Sequence, residues 1–288
     1  MKQPIFTGVC TALVTPYLEN RLNYPMLRQL IRRQCEASVR ALVICGTTGE
    51  SAVLTDSEKL ELFRISRKAI PENVVFLAGT GSNDTVHAIA LSRAAEELGA
   101  DALLVVSPYY NKATEEGLFL HYRAIAEAVH IPVVLYNVPS RTGLDIPVSV
   151  YRRLSEIPNI VGVKEACTDI RKIAKIRQQC PEDFCVWCGN DDLAVPALSL
   201  GAKGLISVVS NVTPEMTGAM VDAALDGDFD TAADLQLSLL PLIEALFGEV
   251  NPVPVKAAMA LLGYDCGPCR LPLGNARQET VEKLSGLL

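Results

Sequence analysis

The sequence predicts an α/β protein: a closed (β/α)8 TIM barrel followed by a C-terminal helical appendage. Three observations lead there. Strand-like apolar runs alternate with helical patterns through most of the 288 residues, and strand starts recur at steps of roughly 19 to 33 residues, the rhythm of repeated βα units. Eight such units are present, the number that closes a parallel barrel. An open doubly wound sheet would announce itself by a glycine-rich phosphate loop after the first strand. The nearest approach, Gly79-Thr80-Gly81, lacks the third glycine.

The units follow in order. Gly8 to Thr15 reads as the first strand, and Asn23 with Pro25 opens a helix to about Ala37. Ala41 to Cys45 is the second strand. Thr55 followed three residues later by Glu58 forms a capping box for the next helix. Val74 to Ala78 is the third, with a helix from Asp84 to Leu98 stopped by Gly99. Ala102 to Val106 leads into a helix opened by Thr114 and two glutamates, and Pro132 to Tyr136 into a short helix after Pro147. Ile160 to Ala166 is the sixth strand, with a helix from Asp169 to about Gln179. Phe184 to Cys188 and Lys203 to Val208 are the seventh and eighth, with helices at 191–200 and 214–225. Beyond Leu225 only helical patterns remain, at 230–247, 254–262 and 276–288. A barrel over residues 1–226 and a helical region over 227–288 are therefore expected.

Composition narrows the function. Hydrophobic residues make up 49% and charged residues 20%, as in a soluble globular protein. A net charge of −7 with no basic cluster argues against nucleic acid. The N-terminus has no signal-peptide pattern, and no apolar run reaches bilayer length, so no membrane association and a cytoplasmic location are expected. Nine cysteines then read mostly as reduced, packed thiols. Cys185-Val186-Trp187-Cys188 lies in a strand, with its two sulfurs on different faces. Cys266-Gly267-Pro268-Cys269 copies a dithiol motif and keeps a dithiol oxidoreductase in view as a remote alternative, but it lies in a loop outside any small βαβ domain. The three histidines are scattered on helices without ligand spacing, and no metal site is expected.

Barrel enzymes carry their reactive groups at the C-terminal ends of the strands. Strand two ends in Gly46-Thr47-Thr48-Gly49-Glu50-Ser51 and strand four in Ser107-Pro108-Tyr109-Tyr110-Asn111. Strand five ends in Tyr136-Asn137-Val138-Pro139-Ser140-Arg141, strand six in Lys164, strand seven in Gly189-Asn190-Asp191, and strand eight carries Ile206-Ser207. A lysine at a strand end points either into solvent or into a pocket between strands. In a pocket, desolvation disfavours the ammonium and leaves an amine able to attack a carbonyl. Phenols, hydroxyls and a guanidinium gathered at the same mouth favour the second reading: amine catalysis with phenols relaying protons.

Gly46 to Ser51, Tyr136 to Arg141 and the Lys164 strand, in combination, resemble the dihydrodipicolinate synthase family over essentially the whole chain. Asn251-Pro252-Val253-Pro254-Val255-Lys256 and Arg270-Leu271-Pro272-Leu273 carry the resemblance into the appendage. The wider superfamily of pyruvate-dependent Schiff-base lyases shares the barrel and the lysine. The Ser140-Arg141 pair favours the synthase over the alternative, a sister lyase acting on sialic acid or keto-deoxy sugar acids.

The resemblance implies condensation of pyruvate with L-aspartate 4-semialdehyde in the diaminopimelate route to lysine. By it, Lys164 forms an imine with pyruvate, Tyr136 is the general acid and base, and Thr47 and Tyr110 complete a hydroxyl relay. Tyr110 is lent by a neighbouring subunit of a homotetramer built as a dimer of dimers. Thr48 would hold the pyruvate carboxylate and Arg141 that of the semialdehyde. Gly189 and Ile206 complete the substrate-binding set. The imine is itself the electron sink, so no cofactor is implied. Some members are inhibited by lysine in a cleft that maps here to Ser51, Ala52, Asp56, Lys59, Asn83, His87 and Tyr109. In inhibited bacterial members a glutamate stands at the place of His87 and pairs with the ligand's α-amino group. Histidine cannot supply that carboxylate, and Lys59 adds a cation, so weak or absent inhibition is expected.

Overall fold

The computed structural model describes residues 2–288. Eight strands form one closed parallel barrel: β1 (Gly8–Ala12), β2 (Ala41–Ile44), β3 (Val75–Gly79), β4 (Ala102–Val106), β5 (Val133–Asn137), β6 (Ile160–Glu165), β7 (Cys185–Cys188) and β8 (Gly204–Ser207). Each pairs with its sequence neighbours, and β1 closes the ring on β8 through Gly8 to Thr11 against Gly204 to Ser207. The predicted barrel is thus the observed one. The first strand is shorter than expected: Leu13 makes a last bond to the Val43 carbonyl of β2, and beyond it the Val14 N–H donates to the Asn211 side chain.

Helices α1 (Tyr24–Glu36), α2 (Asp56–Ala69), α3 (Thr85–Glu97), α4 (Glu115–Glu127), α5 (Val148–Leu154), α6 (Arg171–Gln179), α7 (Ala194–Ser199) and α8 (Pro214–Leu225) surround it. Their starts follow side-chain chemistry. Asn23 accepts from the Met26 N–H, Thr114 from the Gly117 N–H, and Thr55 with Glu58 makes the reciprocal capping box. Three further helices, α9 (Phe229–Leu246), α10 (Val253–Leu261) and α11 (Gln278–Ser285), follow the barrel, with α9 packed along α8. No helix among the described residues is long and apolar enough to cross a membrane. Two small features escaped the sequence: an antiparallel hairpin of Tyr17–Leu18 with Arg21–Leu22, and a one-turn helix Pro139–Thr142 closed by Gly143 at φ +68°.

Side chains divide between two apolar layers. One fills the barrel, from Cys10, Val43, Leu104, Val134, Cys185, Trp187 and Ile206, and the larger one lies between strands and helices. Trp187 stacks on Phe6 at 5.2 Å and donates its indole N–H to the Phe6 carbonyl, filling the barrel toward the N-terminal ends of the strands. Cys185 faces the barrel interior and Cys188 the helical layer, as their spacing in one strand requires.

One irregularity decides where the chemistry points. Between β5 and β6 the register steps from Val133 opposite Ile160 to Val134 opposite Gly162, which leaves Val161 as an extra residue. Val161 faces the barrel interior, yet Val163 packs outward. Strict alternation from Val161 would have carried Val163 inward and Lys164 out. The bulge shifts the phase by one, so Lys164 lies opposite the inward-facing Tyr136.

Candidate active site

Lys164 reaches the C-terminal end of β6 with 5% of its surface exposed. Its Nζ lies 4.5 Å from the centre of the Tyr136 ring, itself buried on β5. An ammonium over a phenol face is favourable. Gly189, at the end of β7, leaves the room the lysine occupies. A Cβ there would lie 2.8 Å from the Ala166 Cβ and 3.1 Å from both the Glu165 carbonyl oxygen and the Lys164 Cε, so a side chain would force Ala166 aside and crowd the lysine. Ile206, on the adjoining β8, is buried in the barrel interior.

Behind these groups, facing the helices, stands a second pair. Asn137 and Glu165 are the residues next to Tyr136 and Lys164, and they are register partners. The Asn137 side-chain amide donates to Glu165 Oε1 at 2.7 Å, the Cys167 N–H donates to the same oxygen, and the Tyr151 hydroxyl donates to Oε2 at 3.0 Å. Burial raises the Glu165 carboxyl above its usual range, opposed by Lys172, whose Nζ is 3.9 Å away, and by these donors. The network holds the ends of β5 and β6 in register and therefore holds phenol against amine. Asp145, Glu165 and Cys167 form a cluster of possible metal ligands, but the Lys172 ammonium pairs with both carboxylates of the group.

The turn after β2 carries Thr47, half-buried, and Thr48, 2% exposed. Its conformation is tight: Cys45 and Glu50 both have left-handed φ, at +58° and +56°. What holds it comes from far along the chain. Glu50 Oε1 accepts from Lys256 Nζ of α10 at 2.7 Å, and Oε2 from the Arg270 N–H at 2.9 Å, with both side chains of the ion pair nearly inaccessible. Arg270 in turn grips Glu58 through both guanidinium nitrogens at 2.6 and 2.9 Å, which lowers that carboxyl to about 2. Thr48 Oγ1 accepts from the Asn251 side-chain amide at 3.0 Å. Arg141, in the one-turn helix after β5, donates to the Asn251 carbonyl at 3.1 Å. Sequence reasoning gave Glu50, Asn251, Lys256 and Arg270 no role. The available signal was Lys256, a cation alone in the apolar run Val253–Leu261.

Tyr110 is placed differently from the rest. Its φ is +72° and it is 89% exposed, so its phenol stands off its own chain, outside its own barrel. Tyr109 beside it is 40% exposed. At the cleft residues, His87 Nε2 lies 3.0 Å from both Asp56 oxygens and Lys59 Nζ 4.0 Å from Oδ1. Asn83 is tied by its carbonyl to the Asn111 amide at 2.9 Å. Ser51 and Ala52 lie on the short turn just ahead of α2, which carries Asp56 and Lys59. The dithiol motif holds no reactive pair: Cys266 and Cys269 are buried free thiols, each pushed up to about 12 by burial. The Tyr17 N–H donates to the Cys266 carbonyl, so this loop secures the hairpin.

The family model described as the dihydrodipicolinate synthetase family matches residues 5–288. The chain belongs to that family. It is 49% identical over 288 residues to the 4-hydroxy-tetrahydrodipicolinate synthase of Acetivibrio thermocellus, spanning 100% of this chain and 98% of that relative. Dihydrodipicolinate synthase from Aquifex aeolicus superposes with a TM-score of 0.96 at 41% identity, covering 98% of this chain and 97% of the other. The enzyme from Acinetobacter baumannii, solved in complex with pyruvate, gives a TM-score of 0.96 at 38% identity, covering 98% and 97%. The alignments therefore run through barrel and appendage alike.

Proposed function

We propose that the protein is a 4-hydroxy-tetrahydrodipicolinate synthase, a class I lyase joining pyruvate to L-aspartate 4-semialdehyde. The observation that carries this reading is a buried lysine 4.5 Å from a buried tyrosine ring at the C-terminal mouth of a family-matched barrel. The Lys164 amine adds to the ketone of pyruvate, and loss of water gives an imine. Loss of a methyl proton then gives an enamine, whose carbon attacks the aldehyde. Tyr136 gives and takes the protons at each stage, with Thr47 as a member of its hydroxyl relay. Thr48 and the N–H groups of its turn hold the pyruvate carboxylate, and Arg141 holds the second carboxylate by paired donors. Gly189 and Ile206 shape the space around the imine.

Tyr110, turned away from its own chain, enters the site of a second copy and extends the hydroxyl relay there, within a homotetramer built from dimers. Residues 1–226 act as the catalytic barrel, and residues 227–288 brace its Thr47-Thr48 turn. A side-by-side assay tests the substrate assignment: turnover of pyruvate with the semialdehyde should far exceed cleavage of sialic acid or keto-deoxy sugar acids. The opposite order would make the protein a sister lyase.

A further inference from the structure

Asn251 touches both residues assigned to the two substrate carboxylates, although it comes from the segment before α10 and not from the barrel. Its amide Nδ2 donates to Thr48 Oγ1 at 3.0 Å, and its carbonyl accepts from Arg141 Nη2 at 3.1 Å. Asn251 is 5% exposed and Thr48 2%, so the contact between them is shut off from bulk solvent, whereas Arg141 is exposed and its contact is only part-buried. Asn251 Oδ1 is buried without a hydrogen-bond partner.

A threonine hydroxyl has one proton and two lone pairs, and an ionised carboxylate only accepts. Thr48 can therefore serve a carboxylate only by donating its single proton. If that proton were given to a protein acceptor, the oxygen would present lone pairs to the anion and repel it. A primary amide nitrogen beside Oγ1 prevents this, because it can only donate. The orientation of the amide is itself favoured: as it stands one N–H is paired and the carbonyl oxygen is bare, whereas turning it over would leave both N–H groups bare, and a buried N–H without a partner is tolerated less often than a bare carbonyl oxygen.

We propose that Asn251 is a positioning residue that fixes the polarity of the Thr48 hydroxyl, holding its proton toward the pyruvate carboxylate. This rests on the reading of Lys164 and Thr48 given above. An aspartate at this position would do the reverse. Its oxygen would draw the Thr48 proton inward and place a negative charge near the incoming anion, with little change in size.

The test compares Asn251→Asp with Asn251→Ala by borohydride trapping across a pyruvate titration, with thermal unfolding of each. For Asn251→Asp, half-maximal trapping should need about 10- to 100-fold more pyruvate, the range of a lost charge-assisted hydrogen bond. Asn251→Ala leaves the hydroxyl free to rotate and should shift it only about two- to fivefold. A side chain that merely packs would give the opposite ranking, since aspartate keeps the shape. Alanine as damaging as aspartate, or aspartate without effect, overturns the proposal. Should the aspartate variant not fold, the alanine change is repeated in Thr48→Val. Its two- to fivefold shift should vanish there, and an equal shift in both backgrounds refutes the coupling. If the unmutated protein forms no Lys164 adduct, the functional reading itself fails, a result distinct from either.

Discussion

Replacing Lys256 by methionine removes one charge from the buried pair that fixes the turn after β2, while keeping the length of the stem. Glu50 would retain the Arg270 N–H at 2.9 Å and lose the ammonium at 2.7 Å. Leaving one member of a buried ion pair uncompensated costs about 3–5 kcal/mol. The surviving N–H donor places this case near the lower end, about 3 kcal/mol. For a chain of this size each kcal/mol shifts the melting temperature by about 2–4 °C, so a fall of about 6–12 °C is expected. Because Glu50 lies two residues beyond Thr48, the affinity for pyruvate should fall as well. The assay is thermal and denaturant unfolding at fixed protein concentration for Lys256→Met, Glu50→Gln and the double variant. The double variant should recover at least about 2 kcal/mol relative to the sum of the singles. A single variant within 1 kcal/mol of the parent, or strictly additive effects, would refute the claim that this pair braces the turn.

Tyr136→Phe should reduce kcat by about 10²–10⁴, the usual range for a positioned acid–base group; less than tenfold in steady-state assays would put the proton route elsewhere. His121 is buried with its Nε2 unpartnered, and burial lowers its pKa to about 4. Between pH 6.5 and 4 the unfolded chain then binds the extra proton, so stability is lost as pH falls through this window. His121→Gln should reduce the loss between pH 7 and 5 by about 1–2 kcal/mol in urea titrations, and an unchanged loss would show that His121 is not its source. L-Lysine should inhibit weakly, because Asp56, the carboxylate available to its amine, is already held by His87 and Lys59. Half-inhibition below about a millimolar at saturating pyruvate, binding near −4 kcal/mol, would show that the cleft still accepts the ligand.

Much of the barrel was legible because local chemistry and tertiary structure agree. β-branched runs became strands, and Thr55 with Glu58 formed the expected cap. The candidate residues could be grouped from the sequence because a barrel delivers its strand ends to one face, so Thr48, Tyr136, Lys164 and Gly189 could be read together. What was not legible depends on long-range partners or on one inserted residue. The bulge at Val161 reverses the phase of β6, and the alternation of Val161 and Val163 gives no sign of it. Glu50 and Lys256 are 206 residues apart, and no local pattern pairs them. Asn251 stands out in sequence only as the first residue of the Asn251 to Lys256 motif, and only the fold places its amide on Thr48. The hairpin at Tyr17 consists of two-residue strands, too short for any periodicity.

Lys164, turned inward beside Tyr136, is the amine proposed to capture pyruvate. Borohydride reduction in the presence of pyruvate, followed by peptide mass analysis, tests it directly. One reduced pyruvate adduct per chain is expected, on Lys164, and none in Lys164→Ala. An adduct on any other lysine, or no adduct at saturating pyruvate, would contradict it.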